Sequence, residues 1–142
     1  MSFSREWDER YQENTHMSIW PWSDLVSLVM RHKPQEENFK VLELGCGAGA
    51  NIPLFASLGA NYYAVEGSKT IVKKLHQQYP QFKGNIVSGD FTKDIPDEKF
   101  DLIVDRAALT HNDERAIIEC IDVCYQQLEI GGKFIGIDWF ST

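Results

Sequence analysis

Eight consecutive residues, Glu43-Leu44-Gly45-Cys46-Gly47-Ala48-Gly49-Ala50, place an acid beside three closely spaced glycines. Glycines at that spacing remove Cβ atoms where a backbone must turn with positive φ and come close to a ligand. If such a loop opens a helix, its backbone N–H groups can receive a carboxylate or a phosphate. Gly45-x-Gly47-x-x-Ala50 fits a dinucleotide fingerprint, whereas Gly45-x-Gly47-x-Gly49 fits a loop that holds a nucleoside without a pyrophosphate. Nearby carboxylates favour the second. Glu43 lies two residues before the first glycine, where a fixed anion opposes a pyrophosphate and favours a ligand carrying an ammonium and a sulfonium. Glu66 stands 21 positions after Gly45, close to the ~20-residue offset at which an acid meets an adenosine ribose. Gly67 beside it is either a ligand contact or a turn requirement. Asp90, in Ser88-Gly89-Asp90-Phe91, can accept from an adenine amino group, while Phe91 offers a ring edge or a backbone N–H. No Lys or Arg occurs between Lys40 and Lys69, and no Gly-Lys-Ser/Thr follows the glycines, which excludes a P-loop.

Other chemistry-bearing residues are sparser. His111, in Leu109-Thr110-His111-Asn112, suits a general base because imidazole titrates near neutrality. It equally suits a helix-start residue bonded to local backbone. His16, His32 and His76 show no ligand spacing, and Asp105 and Asp138 lack the further oxygen donors magnesium takes, so no metal is expected. Glu43 has a second reading, as a structural cap on neighbouring loop amides. Tyr11, Trp20 and Trp22 either pack amino-terminal helices onto a core or close over the ligand as part of an acceptor pocket. Trp20, in a polar loop before a helix, leans to the second role.

These side chains need elements to hold them, and the hydrophobic pattern supplies helices alternating with short strands. Phe3, Trp7 and Tyr11 mark a first amphipathic helix. Trp22, Leu25, Val26, Val29 and Met30 mark a second, stopping before Pro34. Val41–Leu44 reads as a central parallel strand covered on both faces. A helix over Asn51–Leu58, a strand over Tyr62–Val65 and a helix capped by Ser68 follow, the last burying Ile71, Val72, Leu75 and Tyr79. Strands are expected over Asn85–Ser88, Phe100–Val104 and Lys133–Trp139. Before the last comes a helix from Asp113 that buries Ile117, Ile121, Cys124 and Leu128 and ends at Gly131-Gly132. Strand, helix, strand, repeated four times, predicts an α/β doubly wound parallel sheet with right-handed crossovers.

Composition agrees with one soluble domain: 142 residues, 43% hydrophobic and 25% charged. Fourteen basic against 21 acidic side chains leave a formal charge of −7. That sign repels phosphate backbones and anionic lipid, so neither nucleic acid nor a membrane is the expected partner. There is no apolar run of the ~20 residues a membrane helix needs, and the start is too polar for a secretory signal. Three cysteines cannot all pair, and buried free thiols suit the cytoplasm.

Taken in order, Val41-Leu42-Glu43-Leu44-Gly45-Cys46-Gly47-Ala48-Gly49, Ala64-Val65-Glu66-Gly67-Ser68 and Gly89-Asp90-Phe91 resemble the class I S-adenosylmethionine-dependent methyltransferases. Phe100–Leu109 is similar to their fourth motif as the thiopurine-methyltransferase-like branch writes it, and Gly131-Gly132-Lys133-Phe134 to their turn into strand five. The resemblance covers about Phe39 to Asp138. It implies a Rossmann-like sheet of order 3-2-1-4-5 and S-adenosylmethionine as cofactor. Gly45, Gly47 and Gly49 would line the methionine portion, Glu66 would hold the ribose, Asp90 would face adenine, and Glu43 would sit close behind. Asp105 and Arg106 would border methionine and the transfer site, with Asp105 or His111 as candidate catalytic groups. Cys46 counts with the same loop among the cofactor-binding residues, but its side chain points away in related folds, which makes it a poor nucleophile.

The family usually carries seven strands, whereas this sequence stops directly after the fifth. Residues 1–34 are expected as a helical cap and 39–142 as a nucleoside-binding core lacking its carboxyl-terminal strands. A bare fifth strand invites pairing with a second copy. The expected activity is methyl transfer to a small molecule. A non-catalytic donor-binding module of the same fold and a nicotinamide-dependent oxidoreductase remain alternatives.

Overall fold

The computed structural model of the chain describes residues 20–139. The expected helix through Phe3, Trp7 and Tyr11 lies outside the described residues, as do residues 140–142. Five strands form one parallel sheet: β1 (Lys40–Leu44), β2 (Asn61–Glu66), β3 (Ile86–Ser88), β4 (Phe100–Arg106) and β5 (Leu128–Ile137), in the order β3-β2-β1-β4-β5. Among the described residues four α-helices accompany them: α1 (Ser23–His32), α2 (Ile52–Ser57), α3 (Lys69–Gln78) and α4 (Glu114–Gln126). The fold is the Rossmann-like one expected, with β1 central.

Alternation along β1 sorts the sheet's two faces. Val41 packs with Leu25, Val29, Phe55, Tyr62, Ile71 and Leu75 under α1, α2 and α3. Leu42 and Leu44 point the other way, onto Ile103, Leu109, Cys120 and Cys124 beneath α4. Glu43 shares the parity of Val41, so its carboxyl enters the first face, beside Tyr62 of the neighbouring strand. α3 starts where expected, because the Ser68 hydroxyl accepts from the Ile71 N–H at 3.2 Å. Asp113 does the same for α4, accepting from the Ala116 N–H at 2.9 Å. Among the described residues no helix is long and apolar enough to cross a membrane.

Four expectations need correction. No helix joins β3 to β4; turns from Asp90 occupy the connection, and its Pro96 offers no N–H to a helix. β5 begins at Leu128 rather than Lys133, since Leu128 already pairs with Phe100 before a bulge puts Lys133 opposite Leu102. Gly132 makes that bulge possible: a Cβ there would stand 2.9 Å from two backbone carbonyl oxygens. On α4 the buried stripe centres on Cys120 and Cys124, leaving Ile121 exposed. On α1, Leu25 and Val29 are buried while Met30 and Trp22 are not, so the inward stripe is narrower than the apolar spacing suggests.

Candidate active site

β1, β2, β3 and β4 end along one edge of the sheet, and the segment leaving each end carries a residue singled out by its chemistry. In the loop after β1, Gly45, Gly47 and Gly49 all have positive φ (64°, 56° and 84°). The Gly45 N–H donates to the Val65 carbonyl at 2.8 Å, tying the loop to β2. A Cβ at Gly45 would lie 2.6 Å from the Ala108 Cβ and 3.3 Å from the Phe91 ring, so the segments after β1, β3 and β4 converge on this glycine. Gly45→Ala therefore combines left-handed strain with overpacking. It is expected to cost roughly 2–4 kcal/mol of stability, read as a lower urea midpoint.

Glu66 is buried, with each carboxylate oxygen engaged. Oε1 accepts from the Gly47 N–H at 3.0 Å and Oε2 from the Ser68 N–H at 2.7 Å. This clasp runs around Gly67 and fixes the acid against the glycine loop. Asp90 is set by its own turn, its Oδ1 accepting from the Thr92 N–H at 2.9 Å and the Thr92 hydroxyl at 2.6 Å. Lys93 Nζ stands 3.9 Å from Asp90 Oδ2. Phe91, next in sequence, brings its ring to Gly45.

Glu43 is brought to the loop but faces inward. It is only 3% exposed. Tyr62 donates its phenolic proton to Oε1 at 2.6 Å, and Asn51 donates from Nδ2 to Oε2 at 2.8 Å. Burial raises its pKa to about 7 against the opposing effect of those two donors, with the Asp105 and Glu66 charges adding to the rise. Burial thus works against the full fixed anion expected at this position. Cys46 is also buried, its thiol pushed up by desolvation.

At the end of β4, Asp105 is fully buried. Its Oδ1 accepts from the Leu109 N–H at 3.0 Å and its Oδ2 from the Trp139 indole N–H at 2.7 Å. Desolvation raises its pKa, while these donors and the charge of His111 oppose the rise. His111 is exposed, on the 3-10 turn Leu109–His111 just beyond. Arg106 points across to α1: Nε lies 3.3 Å from Asp24 Oδ1, and its guanidinium carbon lies 3.7 Å from the Trp22 ring centroid. A third contact joins its NH2 to Asp138 Oδ2 at 3.1 Å. Trp22 thus sits over the β4 end, whereas Trp20 is 76% exposed; Tyr11 lies outside the described residues. Among the described residues no cluster of three or more His, Cys, Asp or Glu side chains could hold a metal ion.

A methyltransferase-domain family model matches residues 42–136. The chain belongs to that family. Its sequence and fold are those of a class I S-adenosylmethionine-dependent methyltransferase. It is 32% identical over 83 residues to a cypemycin N-terminal methyltransferase of a Streptomyces species, covering 58% of this chain and 34% of the relative. To the sterol 24-C-methyltransferase of Candida albicans it is 32% identical over 116 residues, covering 75% of this chain and 29% of that protein. The chain thus spans about a third of the length of either relative. The glycopeptide N-methyltransferase MtfA, crystallised with sinefungin, shares the fold with a TM-score of 0.68 and 22% identity, over 84% of this chain and 55% of MtfA.

As a member of this methyltransferase family, the chain should have a crevice fitted to S-adenosylmethionine, and the residues present do fit it. The positive-φ loop admits close backbone approach, Glu66 is fixed beside that loop at the β2 end, and no Lys or Arg follows β1 before Lys69. Sequence reasoning missed Tyr62, Asn51, Asp24 and Trp139. One signal could have found the first two. A carboxyl on the Val41 face of a central strand must be paired, and the nearest donors are a tyrosine on the adjacent strand and the asparagine opening α2.

Proposed function

We propose that this methyltransferase binds S-adenosylmethionine at the carboxyl ends of β1–β3 and transfers its methyl group to a small molecule bound near the end of β4. The observation that supports this reading is the Glu66 clasp, which bonds both the glycine loop and the turn into α3 and so holds one acid in a fixed position beside that loop. When bound, the donor supplies an electrophilic methyl on a sulfonium. The chain's part is positioning and exclusion of water. Glu66 accepts from the ribose hydroxyls, Asp90 and Phe91 border the base, and Asp105 holds the β4 end in one geometry. Trp22 and Arg106 shield the transfer side. In this reading His111, exposed on the turn after β4, takes the proton from an acceptor that keeps one at neutral pH.

We further infer a cytoplasmic protein, on the strength of its free cysteines, and a homodimer paired through β5, which among the described residues is an edge strand of the sheet. Sedimentation velocity across a hundredfold concentration range reads the second, and a monomer throughout would refute it. The function itself is tested by calorimetry with S-adenosylhomocysteine against NADH, then by labelled methyl transfer to sugars, thiols and phenols. Saturable binding of the first alone, followed by label transfer, is the expected result. Binding of NADH instead would overturn it, and binding without transfer to any acceptor would leave a donor-binding module.

A further inference from the structure

Asn51 opens α2 directly after the glycine loop, yet its side chain makes no bond to its own helix. An asparagine at a helix start ordinarily caps the first turn, a contact worth about 1 kcal/mol. Here the amide is used elsewhere. Nδ2 donates to Glu43, and Oδ1 accepts from the Trp22 backbone N–H at 3.1 Å, 29 residues away. The residue is 4% exposed. Its orientation is fixed by its neighbours, because a carboxyl oxygen on one side asks for a donor and an N–H on the other asks for an acceptor. Trp22 in turn starts α1, its carbonyl accepting from the Val26 N–H at 3.0 Å. Its ring lies on Arg106, which also pairs with Asp24. One continuous set of contacts thus runs from the loop after β1, through Asn51, to α1 and the end of β4.

We propose that Asn51 is a positioning residue that couples the donor loop to helix α1, so that filling the loop tightens α1 over the transfer side. The proposal rests on the methyltransferase reading above. The loop and α2 share a backbone, and any settling of the loop around a nucleoside moves the Asn51 amide. The amide carries that movement to Trp22, and Trp22 with Asp24 carries it to Arg106. Coupling of this kind needs an element whose equilibrium both sites bias. α1 qualifies at its first turn: Leu25 and Val29 anchor the helix in the core, while the Trp22 N–H bond to Asn51 and the Asp24–Arg106 pair set how the half-exposed turn sits against the rest of the fold.

The experiment is hydrogen exchange of the full chain, read at the α1 amides with and without S-adenosylhomocysteine, beside calorimetry on the same samples. In the wild type the ligand is expected to slow exchange over residues 22–29 at least tenfold. In Asn51→Ala the ligand should still bind within about tenfold of wild type and still protect the glycine-loop amides, while the α1 response disappears. An α1 response equal to wild type in that variant overturns the coupling, and so does a wild-type α1 that ignores bound ligand. A flat wild-type isotherm refutes the methyltransferase reading and the coupling with it, and the isotherm tells the two failures apart.

Should Asn51→Ala not fold, Asn51→Asp provides the test. The introduced carboxyl keeps an acceptor for the Trp22 N–H but faces Glu43 with a second acid. The other ionisable groups acting on Glu43 are Tyr62 from β2, Cys46 from the loop, Glu66 from the β2 end and Asp105 from β4. At pH 6 one shared proton should restore the α1 response, and at pH 8 two like charges should abolish it. A response identical at both pH values, with binding intact, overturns the proposal.

Discussion

Glu43→Gln is expected to remove a fall in stability of about 3 kcal/mol that the wild type suffers between pH 4.5 and pH 8. The carboxyl ionises at its ordinary 4.5 in the unfolded chain and at about 7 in the native one, chiefly because folding strips it of water. Between those values the native state binds more protons than the unfolded state. Stability from this group is therefore complete below about pH 4.5 and lost as the pH rises through 7. Asp105, also raised by burial, slopes the same way. Glu98 and Asp113 are lowered and slope the other way, but both sit in water. The difference between wild type and variant isolates Glu43. Glutamine keeps the shape, its carbonyl accepting from Asn51 and its NH2 donating to the Tyr62 oxygen. Urea unfolding of both proteins at pH 4.5, 6, 7 and 8 checks it. The wild type should lose its advantage with rising pH, and two parallel curves would show that Glu43 is not a buried titrating group.

Parts of this arrangement are legible without coordinates, for definite reasons. Val41–Leu44 reads as a central strand because a short apolar run ending in glycine has few other uses, and Ser68 reads as a cap because its hydroxyl is local to the helix it starts. The strand-end acids follow from the same logic: Glu66 and Asp90 stand just past apolar segments, and the sheet carries both to one edge. Other features depend on pairing across the sheet. Parity alone says that Glu43 needs partners, but that Tyr62, 19 residues on, and Asn51, eight residues on, share its two oxygens follows only once the strands are paired. Arg106 reads in the motif as a neighbour of the donor, yet it meets Asp24 and Asp138 from opposite ends of the chain. Asp105 reads as a candidate for chemistry, and the structure turns its oxygens to the Leu109 N–H and the Trp139 indole. Apolar spacing centres the α4 stripe on Ile121 because it weighs every apolar position equally. The sheet covers only the arc through Cys120 and Cys124, and among the described residues no element packs over Ile121. Periodicity identifies an element; only tertiary contact selects which part of its apolar arc is used.

Glu66→Ala should weaken S-adenosylhomocysteine by about 1–3 kcal/mol, or roughly fivefold to 150-fold in dissociation constant, the cost of deleting a charged acceptor. Two losses combine. In the proposed pose the ribose hydroxyls lose their carboxylate, and the Gly47 and Ser68 N–H groups, held at 3.0 and 2.7 Å, lose theirs. The second loss loosens the loop that has to meet the methionine portion, so the effect should exceed that of removing an acid touching the ligand alone. Glu66→Gln separates the contributions. Its carbonyl can satisfy one backbone N–H, but its NH2 then faces the other, a donor against a donor. If the clasp matters, glutamine should bind nearly as poorly as alanine despite keeping the bulk and most of the hydrogen-bonding capacity. If only the ribose contact matters, glutamine should recover most of the affinity, because an amide oxygen still accepts from a hydroxyl. Calorimetry of the two variants at pH 7.5, with urea midpoints measured alongside to separate folding from binding, decides between them. An unchanged dissociation constant in both would remove Glu66 from the site.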